Sequence, residues 1–326
     1  MVAVSPTSRP DFIGRPASYR LAVRGAELAS GFVGLARRTL HKQEVEVVRD
    51  VAYAATGHPQ QRLDVFLPKA RTTSARGAIV YVHGGAFQYL SRRTHAHIAM
   101  RFALEGFVVF NMDYRLAPLN PYPACMEDAS AAMVWIARHA DQFGVDSSRL
   151  VIAGESAGAN IAVTVAVAGS IEQRAPWARR LFNEVPRLRG CIAACGVFCV
   201  DDPHWRESER AKEASNRKIF RSMKERFDDP WNYSGVSGFE SMAAVRILES
   251  SLATNRPLPE LFAFVGGRDP VEEDTRRVVA SYRGRGAHVI AHAYPGQRHA
   301  FHALSLGSAS RDVWRRQLAF AARSLR

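Results

Sequence analysis

The 326-residue sequence lacks the features that would place it in a special class of protein. It has no apolar run long enough to cross a bilayer, which excludes an ordinary transmembrane helix. Its first residues contain no compact apolar segment followed by a small-residue cleavage site, so we expect a cytoplasmic protein. With 47% hydrophobic and 23% charged residues and no internal repeat, the composition indicates a globular protein with a large core.

Cysteine is scarce, and its spacing contains no metal-binding or redox motif. None of the four cysteines belongs to a C-x-x-C pair, and Cys191, Cys195 and Cys199 are spaced by four. Even spacing would place these three thiols on one face of a strand, too close along one element to bridge each other easily. Cys199 is the exception we keep open, because it could lie past the strand end near a site. The sequence predicts no disulfide, and we expect no metal or other cofactor.

Acidic residues are outnumbered by basic ones. The 31 Asp and Glu residues face 44 Lys and Arg residues, and only five of the basic residues are Lys. A net charge of +13 raises the alternative of a nucleic-acid or anionic membrane surface. The arginines, however, are scattered and form no dense tract with interleaved aromatic residues. We therefore favour a diffuse basic surface, with no nucleic-acid partner and no stable membrane insertion.

Strand-like and helix-like segments alternate over most of the chain. β-Branched segments after Glu44 predict an antiparallel opening pair, and continuous apolar strands such as 78–82 and 150–153 are each followed by helical patterns. Fully buried strands that alternate with helices form parallel sheets covered on both faces. The sequence therefore predicts an α/β protein with a mostly parallel sheet of about eight strands.

Two long segments fall outside this alternation. Residues 1–44 carry apolar residues at helical spacing with arginines between them, and residues 201–240 are charged, with aromatic residues at their edges. The first pattern could lie on a membrane but is more often a helix packed on its own domain. We expect a main domain at 45–326, N-terminal helices at 1–44, and a segment inserted above the sheet at 201–240.

The chain is organised around "RLVIAGESAGANIA" at residues 149–162, in which an apolar strand meets G-E-S-A-G and a helix of small residues follows. Strand, G-x-S-x-G and helix together are typical of a nucleophile elbow. Such an elbow holds Ser156 on a sharp turn, and bulky side chains at Gly154 or Gly158 would clash with the adjoining strand and helix. The alternative is an ordinary strand-to-helix turn with a capping serine.

A second glycine-rich segment follows another predicted strand. It consists of His83, Gly84, Gly85 and Ala86, and such a loop lets the backbone approach a substrate with its N–H groups pointing at a developing oxyanion. The N–H of Ala157, at the start of the elbow helix, would be a further donor. The alternative is a tight strand-to-loop turn.

A carboxylate and a histidine complete the pattern. Asp269 follows a buried strand and a glycine pair, and His299 lies in a loop after the last strand. Each has a plainer interpretation: Asp269 as a turn residue, and His302 as a packing or solvated neighbour of His299. Asp274 is expected inside the following helix, pointing elsewhere. The order Ser156, Asp269, His299 nevertheless matches the Ser…Asp…His order of α/β hydrolases, with each residue at a strand's C-terminal end.

Five blocks carry a wider resemblance: "HGGAF", "DYRLAP", "GESAGAN", "GGRDPVEEDT" and "YPGQRHAF". From about Gly77 to the C-terminus, the sequence resembles the hormone-sensitive-lipase-like esterases, the bacterial family IV carboxylesterases of the α/β-hydrolase fold. The resemblance implies that Ser156 is the nucleophile, Asp269 the acid and His299 the base. It also implies a two-part helical cap, formed by the N-terminal helices and the segment after the sixth strand.

The activity implied is that of a serine esterase acting on small-molecule esters of short to medium acyl chains, without a cofactor. Another serine hydrolase, such as an amidase, an arylformamidase or an acyl transferase, is the first alternative. A small-molecule binding protein on the same fold is the second, and the complete Ser, Asp and His set argues against it. A homodimer is one option for the assembly of the chain.

Two positions depart from the family pattern. Ala86 stands where a third glycine is usual, and its N–H would serve only if that position does not need a positive φ. Glu155 stands before Ser156, where the family more often has Asp or Thr. We interpret Glu155 as a hydrogen-bonding support for the site.

Overall fold

The computed structural model describes residues 43–70, 74–200, 243–304 and 307–326, together with Gly25. The predicted cap segments 1–44 and 201–240 therefore lie almost wholly outside the described residues, and the domain division stays a prediction. Among the described residues, no helix combines the length and the apolar character needed to span a membrane.

Eight strands form one sheet in the order β1-β2-β4-β3-β5-β6-β7-β8. β2 pairs antiparallel with both β1 and β4, and every other neighbouring pair is parallel. This confirms the mostly parallel sheet and its antiparallel opening. The strands are β1 Val45–Ala52, β2 Arg62–Pro68, β3 Arg76–Val82, β4 Val108–Met112, β5 Val145–Glu155, β6 Gly190–Ala194, β7 Glu260–Gly266 and β8 Val289–Tyr294.

Helices follow most of the strands and pack against the sheet, as the alternating pattern predicts. The predicted helix that opens after Pro123 changes at Ala140 into a short 3-10 turn, which the left-handed Gly144 closes. The helices of the described ranges are α1 Ala96–Leu104, α2 Ala124–His139, α3 Ala157–Ala168, α4 Pro176–Glu184, α5 Ala244–Glu249, α6 Glu272–Gly284, α7 Phe301–Leu304 and α8 Ser308–Ser324.

The expected row of three thiols on one strand face is wrong. Only Cys191 lies within β6, which ends at Ala194, and Cys195 turns away with a φ of 41°. The reason lies in the neighbouring strand: β5 ends opposite Ala194 at Glu155 and turns into the elbow, so from there β6 has a partner on the β7 side only. All four cysteines are buried and free of disulfides.

Helix α3 is buried at every one of its twelve positions, which explains its small residues. It packs against β5 and β6 and is covered by α2, α4 and α5. A helix enclosed on all sides cannot present a polar face to water, so its sequence is mainly apolar on every side instead of amphipathic. The helix packs so close to the sheet that only small side chains fit between them, which favours Ala, Gly and Val.

The start of α3 lies in backbone contact with the ends of two strands. A Cβ added at Gly158 would stand 2.2 Å from the carbonyl oxygen of Val82 and 2.5 Å from that of His83. A Cβ added at Gly154 would stand 2.2 Å from the carbonyl oxygen of Gly158. Because these contacts are with backbone atoms, no side-chain movement could relieve them, and both elbow positions need glycine.

We expect Gly158→Ala to lower the free energy of unfolding by roughly 3 kcal/mol or more, because overpacking against rigid backbone is costly. Gly169→Ala is the matched control at the other end of α3, since its added Cβ meets only ordinary contacts of 3.5 Å or more. We expect the control to stay within about 0.5 kcal/mol of the parent protein. Urea unfolding of both variants measures the difference, and equal midpoints would refute the packing constraint.

Candidate active site

Three side chains from three separate loops meet at one edge of the sheet. Ser156 follows β5, Asp269 follows β7 and His299 follows β8, and the C-terminal ends of these parallel strands share one edge. The Nε2 atom of His299 lies 3.0 Å from Ser156 Oγ. Its Nδ1 atom lies 2.9 Å from Asp269 Oδ2 and 3.1 Å from Oδ1. The structure thus brings together the hydroxyl, imidazole and carboxylate that the sequence singled out.

Ser156 has the strained backbone expected of an elbow. Its φ of 54° and ψ of −118° lie outside the regions that a residue with a side chain normally adopts. The Ser156 N–H donates to the carbonyl oxygen of Ala194 at 2.8 Å, and its own carbonyl accepts the Asn160 N–H at 3.1 Å. Strain of this kind costs about 1–3 kcal/mol and persists only where the surrounding packing enforces it. It directs the hydroxyl out of the sheet toward His299.

The loops that carry Asp269 and His299 are fastened to each other. A Cβ added at Gly266 would lie 2.4 Å from the carbonyl oxygen of Gln297, so the two loops pass at backbone distance. The Arg268 N–H donates to that same carbonyl at 2.9 Å. Asp269 is fully buried, and its Oδ1 accepts the N–H of Val271 at 3.1 Å. The carboxylate is therefore held against the imidazole by backbone contacts.

The imidazole of His299 is subject to two opposing effects. Burial lowers the pKa of His299, because the charged ring loses water, whereas the adjacent Asp269 carboxylate raises it. The carboxylate prevails, and the pKa of His299 lies well above its ordinary value of 6.5. With Nδ1–H donating to Asp269, the Nε2 atom is free to accept the proton of the Ser156 hydroxyl. The arrangement can therefore remove a proton from Ser156.

Asp274 lies in α6 and points away from His299, as expected. Its Oδ2 atom accepts the N–H groups of Phe198 at 2.7 Å and Cys199 at 2.8 Å, and the side chain is fully buried. Asp274 therefore fastens the loop after β6. Cys199, which the sequence left open as a site neighbour, belongs to this loop.

The glycine-rich loop after β3 lies directly against the elbow. A Cβ added at Gly84 would stand 3.0 Å from the carbonyl oxygen of Glu155 and 3.5 Å from Ser156 Cβ. Among the described residues, the N–H groups of Gly85, Ala86 and Ala157 have no hydrogen-bond acceptor. These three donors near the hydroxyl are what a developing oxyanion requires.

Ala86 does adopt a positive φ, of 50°, so the condition set from the sequence is not met. Alanine carries a left-handed strain of about 1–2 kcal/mol at such a position but keeps its N–H donor. Gly85 is more restricted: its φ is 117°, and an added Cβ would lie 1.9 Å from the carbonyl oxygen of Tyr89. The loop thus needs glycine at its second position and tolerates alanine at its third.

Glu155 is buried beneath the elbow between two histidines. Its Oε1 lies 3.7 Å from His95 Nε2 and its Oε2 lies 3.4 Å from His302 Nε2. Burial raises the pKa of Glu155, but these rings outweigh burial and lower the pKa to about 2. The side chain is therefore an ionised group that links the start of α1 to α7. Sequence reasoning missed His95, although its place just after the glycine-rich loop was a usable signal.

His83, at the start of the glycine-rich loop, is packed and hydrogen-bonded within the core. Its ring stacks on Tyr114 at 4.4 Å between centroids, and the Tyr114 hydroxyl donates to the His83 carbonyl at 3.1 Å. The Nδ1 atom lies 2.6 Å from the carbonyl oxygen of Gly84. Tyr114 belongs to "DYRLAP", so this block supports the glycine-rich loop from the side.

A buried arginine fastens the far end of the same loop. Arg92 forms ion pairs with Asp50, Asp64 and Asp113, with its Nε 3.0 Å from Asp64 Oδ1. Breaking a buried pair of this kind leaves an uncompensated charge, which costs several kcal/mol. The cluster therefore fixes the far end of the segment that includes Gly84, Gly85 and Ala86.

Three histidines around Glu155 are neutral when folded. Burial lowers the pKa of His83 to about 3 and that of His97 and His302 to about 4. Between pH 6.5 and 4 the unfolded chain therefore binds protons that the folded protein does not, and stability falls as the pH falls. The slope is up to about 1.4 kcal/mol per pH unit for each histidine.

We expect His97→Gln to make stability less dependent on pH in this window. The control is His288→Gln, since the side chain of His288 is 60% exposed. Urea midpoints recorded from pH 7 to 4 give the slopes. The buried-histidine account fails if the His97 variant keeps the parent slope.

The chain matches both a protein family and individual curated proteins. Residues 79–303 match a family described as the alpha/beta hydrolase fold. Among curated proteins, esterase LipI of Mycobacterium tuberculosis is 37% identical over 133 residues, which cover 40% of this chain and 41% of LipI. Mouse hormone-sensitive lipase is 35% identical over 131 residues, which cover 40% of this chain and 17% of that protein. The matches thus span less than half of these relatives' length.

Solved structures share the fold over nearly the whole chain. Esterase LipW of Mycobacterium marinum superposes with a TM-score of 0.75 at 21% identity, covering 95% of this chain and 91% of LipW. An esterase from Pyrobaculum calidifontis gives a TM-score of 0.72 at 21% identity, with 94% of each chain covered. The resemblance to hormone-sensitive-lipase-like esterases predicted from the motifs is confirmed by these relatives, and the chain belongs to the alpha/beta hydrolase fold family.

Proposed function

We propose that the protein is a serine carboxylesterase that hydrolyses small-molecule esters through an acyl-enzyme. The observation that carries this proposal is the hydrogen-bonded series from Ser156 through His299 to Asp269, with distances of 3.0 and 2.9 Å. Geometry of this kind, on a strained elbow beside unpaired backbone donors, is what acyl transfer by a serine requires. The named esterases among the relatives support the same class of reaction.

The reaction would begin with attack of Ser156 Oγ on the ester carbonyl. His299 Nε2 takes the hydroxyl proton, while Asp269 holds the ring and stabilises its charged form. The carbonyl oxygen becomes an oxyanion that accepts N–H donors from Gly85, Ala86 and Ala157. Each well-placed donor is worth about 3 kcal/mol in the transition state.

The first half ends when the alcohol leaves, and the second half repeats the same steps with water. His299 gives its proton to the leaving alkoxide, the alcohol departs, and the acyl group stays on Ser156 as an ester. A water molecule then loses a proton to His299 and attacks the acyl-enzyme, which releases the acid and restores the hydroxyl. Every step is a proton transfer, an attack on the acyl carbon by Ser156 or water, or the departure of a leaving group, so the mechanism requires no cofactor.

We expect Ser156→Ala to reduce kcat by about 10⁶-fold, the scale reported for loss of such a nucleophile, without loss of stability. The matched control is Ser170→Ala, which removes another buried serine just beyond the other end of α3. Nitrophenyl esters of increasing acyl length measure turnover, and a fluorophosphonate probe reports the nucleophile. Amides in the same panel test the amidase alternative. Substantial turnover or labelling in the Ser156 variant would refute the assignment.

We expect Asp269→Asn to lower kcat by roughly 10⁴-fold, since the imidazole loses its orientation. A second effect follows from the sign of the pKa shift. Because the carboxylate raises the pKa of His299, activity is lost as the pH falls through a value above 6.5. Removing the charge should therefore move the acid limb of kcat/KM to lower pH.

Asp274→Asn is the matched control, because it replaces another buried carboxylate of the same region. We expect it to reduce stability, since the amide is a weaker acceptor for the N–H groups of Phe198 and Cys199. Its acid limb should stay in place. A shift in the Asp274 variant with none in the Asp269 variant would reverse the assignment.

A further inference from the structure

A thiol lies beside the imidazole and carboxylate of the site. Cys195 follows β6, so it reaches the same sheet edge as Asp269 and His299. One donor atom from each of the three residues, the Cys195 sulfur included, lies within 4.8 Å of the other two. The mechanism proposed above does not use this thiol, and its place beside both groups calls for a separate explanation.

The protein holds Cys195 in this place with several contacts. The Cys195 N–H donates to the carbonyl oxygen of Phe264 at 2.8 Å, and the residue adopts a φ of 41° that turns it out of the sheet. Just beyond it, Asn160 Nδ2 donates to the Val197 carbonyl at 2.7 Å. Asp274 accepts the next two N–H groups of the loop. The sulfur is thus positioned by the core and does not depend on a mobile loop.

One sulfur, one imidazole nitrogen and one carboxylate oxygen form a donor set that suits Zn²⁺ and related thiophilic cations. Bond lengths of about 2.0–2.3 Å place the donors of a tetrahedral Zn²⁺ roughly 3.3–3.8 Å apart. Side-chain movements of about 1 Å or less would therefore close the set, with water as the fourth ligand. We propose that Cys195, His299 and Asp269 form an inhibitory binding site for a thiophilic divalent cation such as Zn²⁺.

The ligand atom of His299 would be Nδ1, which faces Asp269. Burial raises the pKa of the Cys195 thiol, so binding must displace its proton to water as the S–Zn bond forms. The imidazole keeps one proton, which moves from Nδ1 to Nε2 when the metal takes Nδ1. Nε2 then donates instead of accepting, and the imidazole can no longer remove the Ser156 proton. No group is oxidised or reduced, and removal of the cation restores the site.

The cation would enter along the imidazole edge. The His299 side chain is 16% exposed, whereas Asp269 and Cys195 are almost fully buried. Binding depends only on the three ligands, whereas inhibition rests on the proposed role of His299 as the base.

Metal binding is tested first, without reference to activity. Reduced, metal-free protein is titrated with Co²⁺, which reports thiolate ligation by a charge-transfer band, and Zn²⁺ affinity is measured by competition with a chelating dye. Ser156→Ala keeps all three ligands, so it should bind one Co²⁺ with the same band as the parent protein. Cys195→Ser and Cys195→Ala should lose the band. They should weaken Zn²⁺ binding by at least about 10-fold, since even losing a supporting contact costs roughly 10–100-fold.

Inhibition by Zn²⁺ is then measured on nitrophenyl ester hydrolysis, with each variant compared with its own metal-free rate. We expect reversible inhibition of the parent protein and an inhibition constant at least ten-fold higher in both Cys195 variants. Cys191→Ser, which removes a buried thiol within β6 away from the site, should keep the parent sensitivity. The proposal is overturned if the Cys195 variants keep the thiolate band or the parent inhibition constant. A thiolate band with undiminished hydrolysis would overturn the inhibition and count against His299 as the base.

Discussion

Backbone contact between the ends of β3 and β5 and the start of α3 is the constraint on which the rest of the structure depends. Gly158 touches the carbonyls of Val82 and His83, so the elbow and the glycine-rich loop are one packed unit. That contact sets the distance between the Ser156 hydroxyl and the backbone donors. The small residues of α3 and the strained turn at Ser156 both follow from it, because any larger side chain would separate the two segments.

A second layer of the structure is electrostatic. Arg92 forms ion pairs with three aspartates at one end of the glycine-rich loop, and Glu155 lies between two histidines beneath the other end of the loop. Buried charges are favourable only when their partners are in place, so each cluster favours a single arrangement of the loop over its alternatives. The site is thus held by backbone packing at the elbow and by ion pairs at the two ends of the glycine-rich loop.

The sheet, the elbow and the order of Ser156, Asp269 and His299 could be predicted from the sequence because each depends on local patterns. Continuous apolar runs, glycine pairs and G-x-S-x-G are visible without knowledge of the fold. The end of β6 could not be predicted in this way, because Cys195 leaves the sheet where the neighbouring strand β5 turns away. The contacts of Glu155 with His95 and His302 could not be predicted either, since they join residues about 60 and 150 positions apart. Contacts that arise only from the topology leave no periodic signal.

The arrangement of the strands also has a consequence for how the protein folds. The pairing of β3 with β5 joins Ala78 to Leu150, and the strand that precedes His299 is added at the sheet's far edge. Closing loops of this length before any contact is gained slows folding, and parallel pairings are among the slowest to form. The Ser156 hydroxyl and the His299 imidazole follow β5 and β8, so β6 and β7 must both be paired between these strands before the two groups can meet. A partly folded chain has the elbow's sequence but no means of using it.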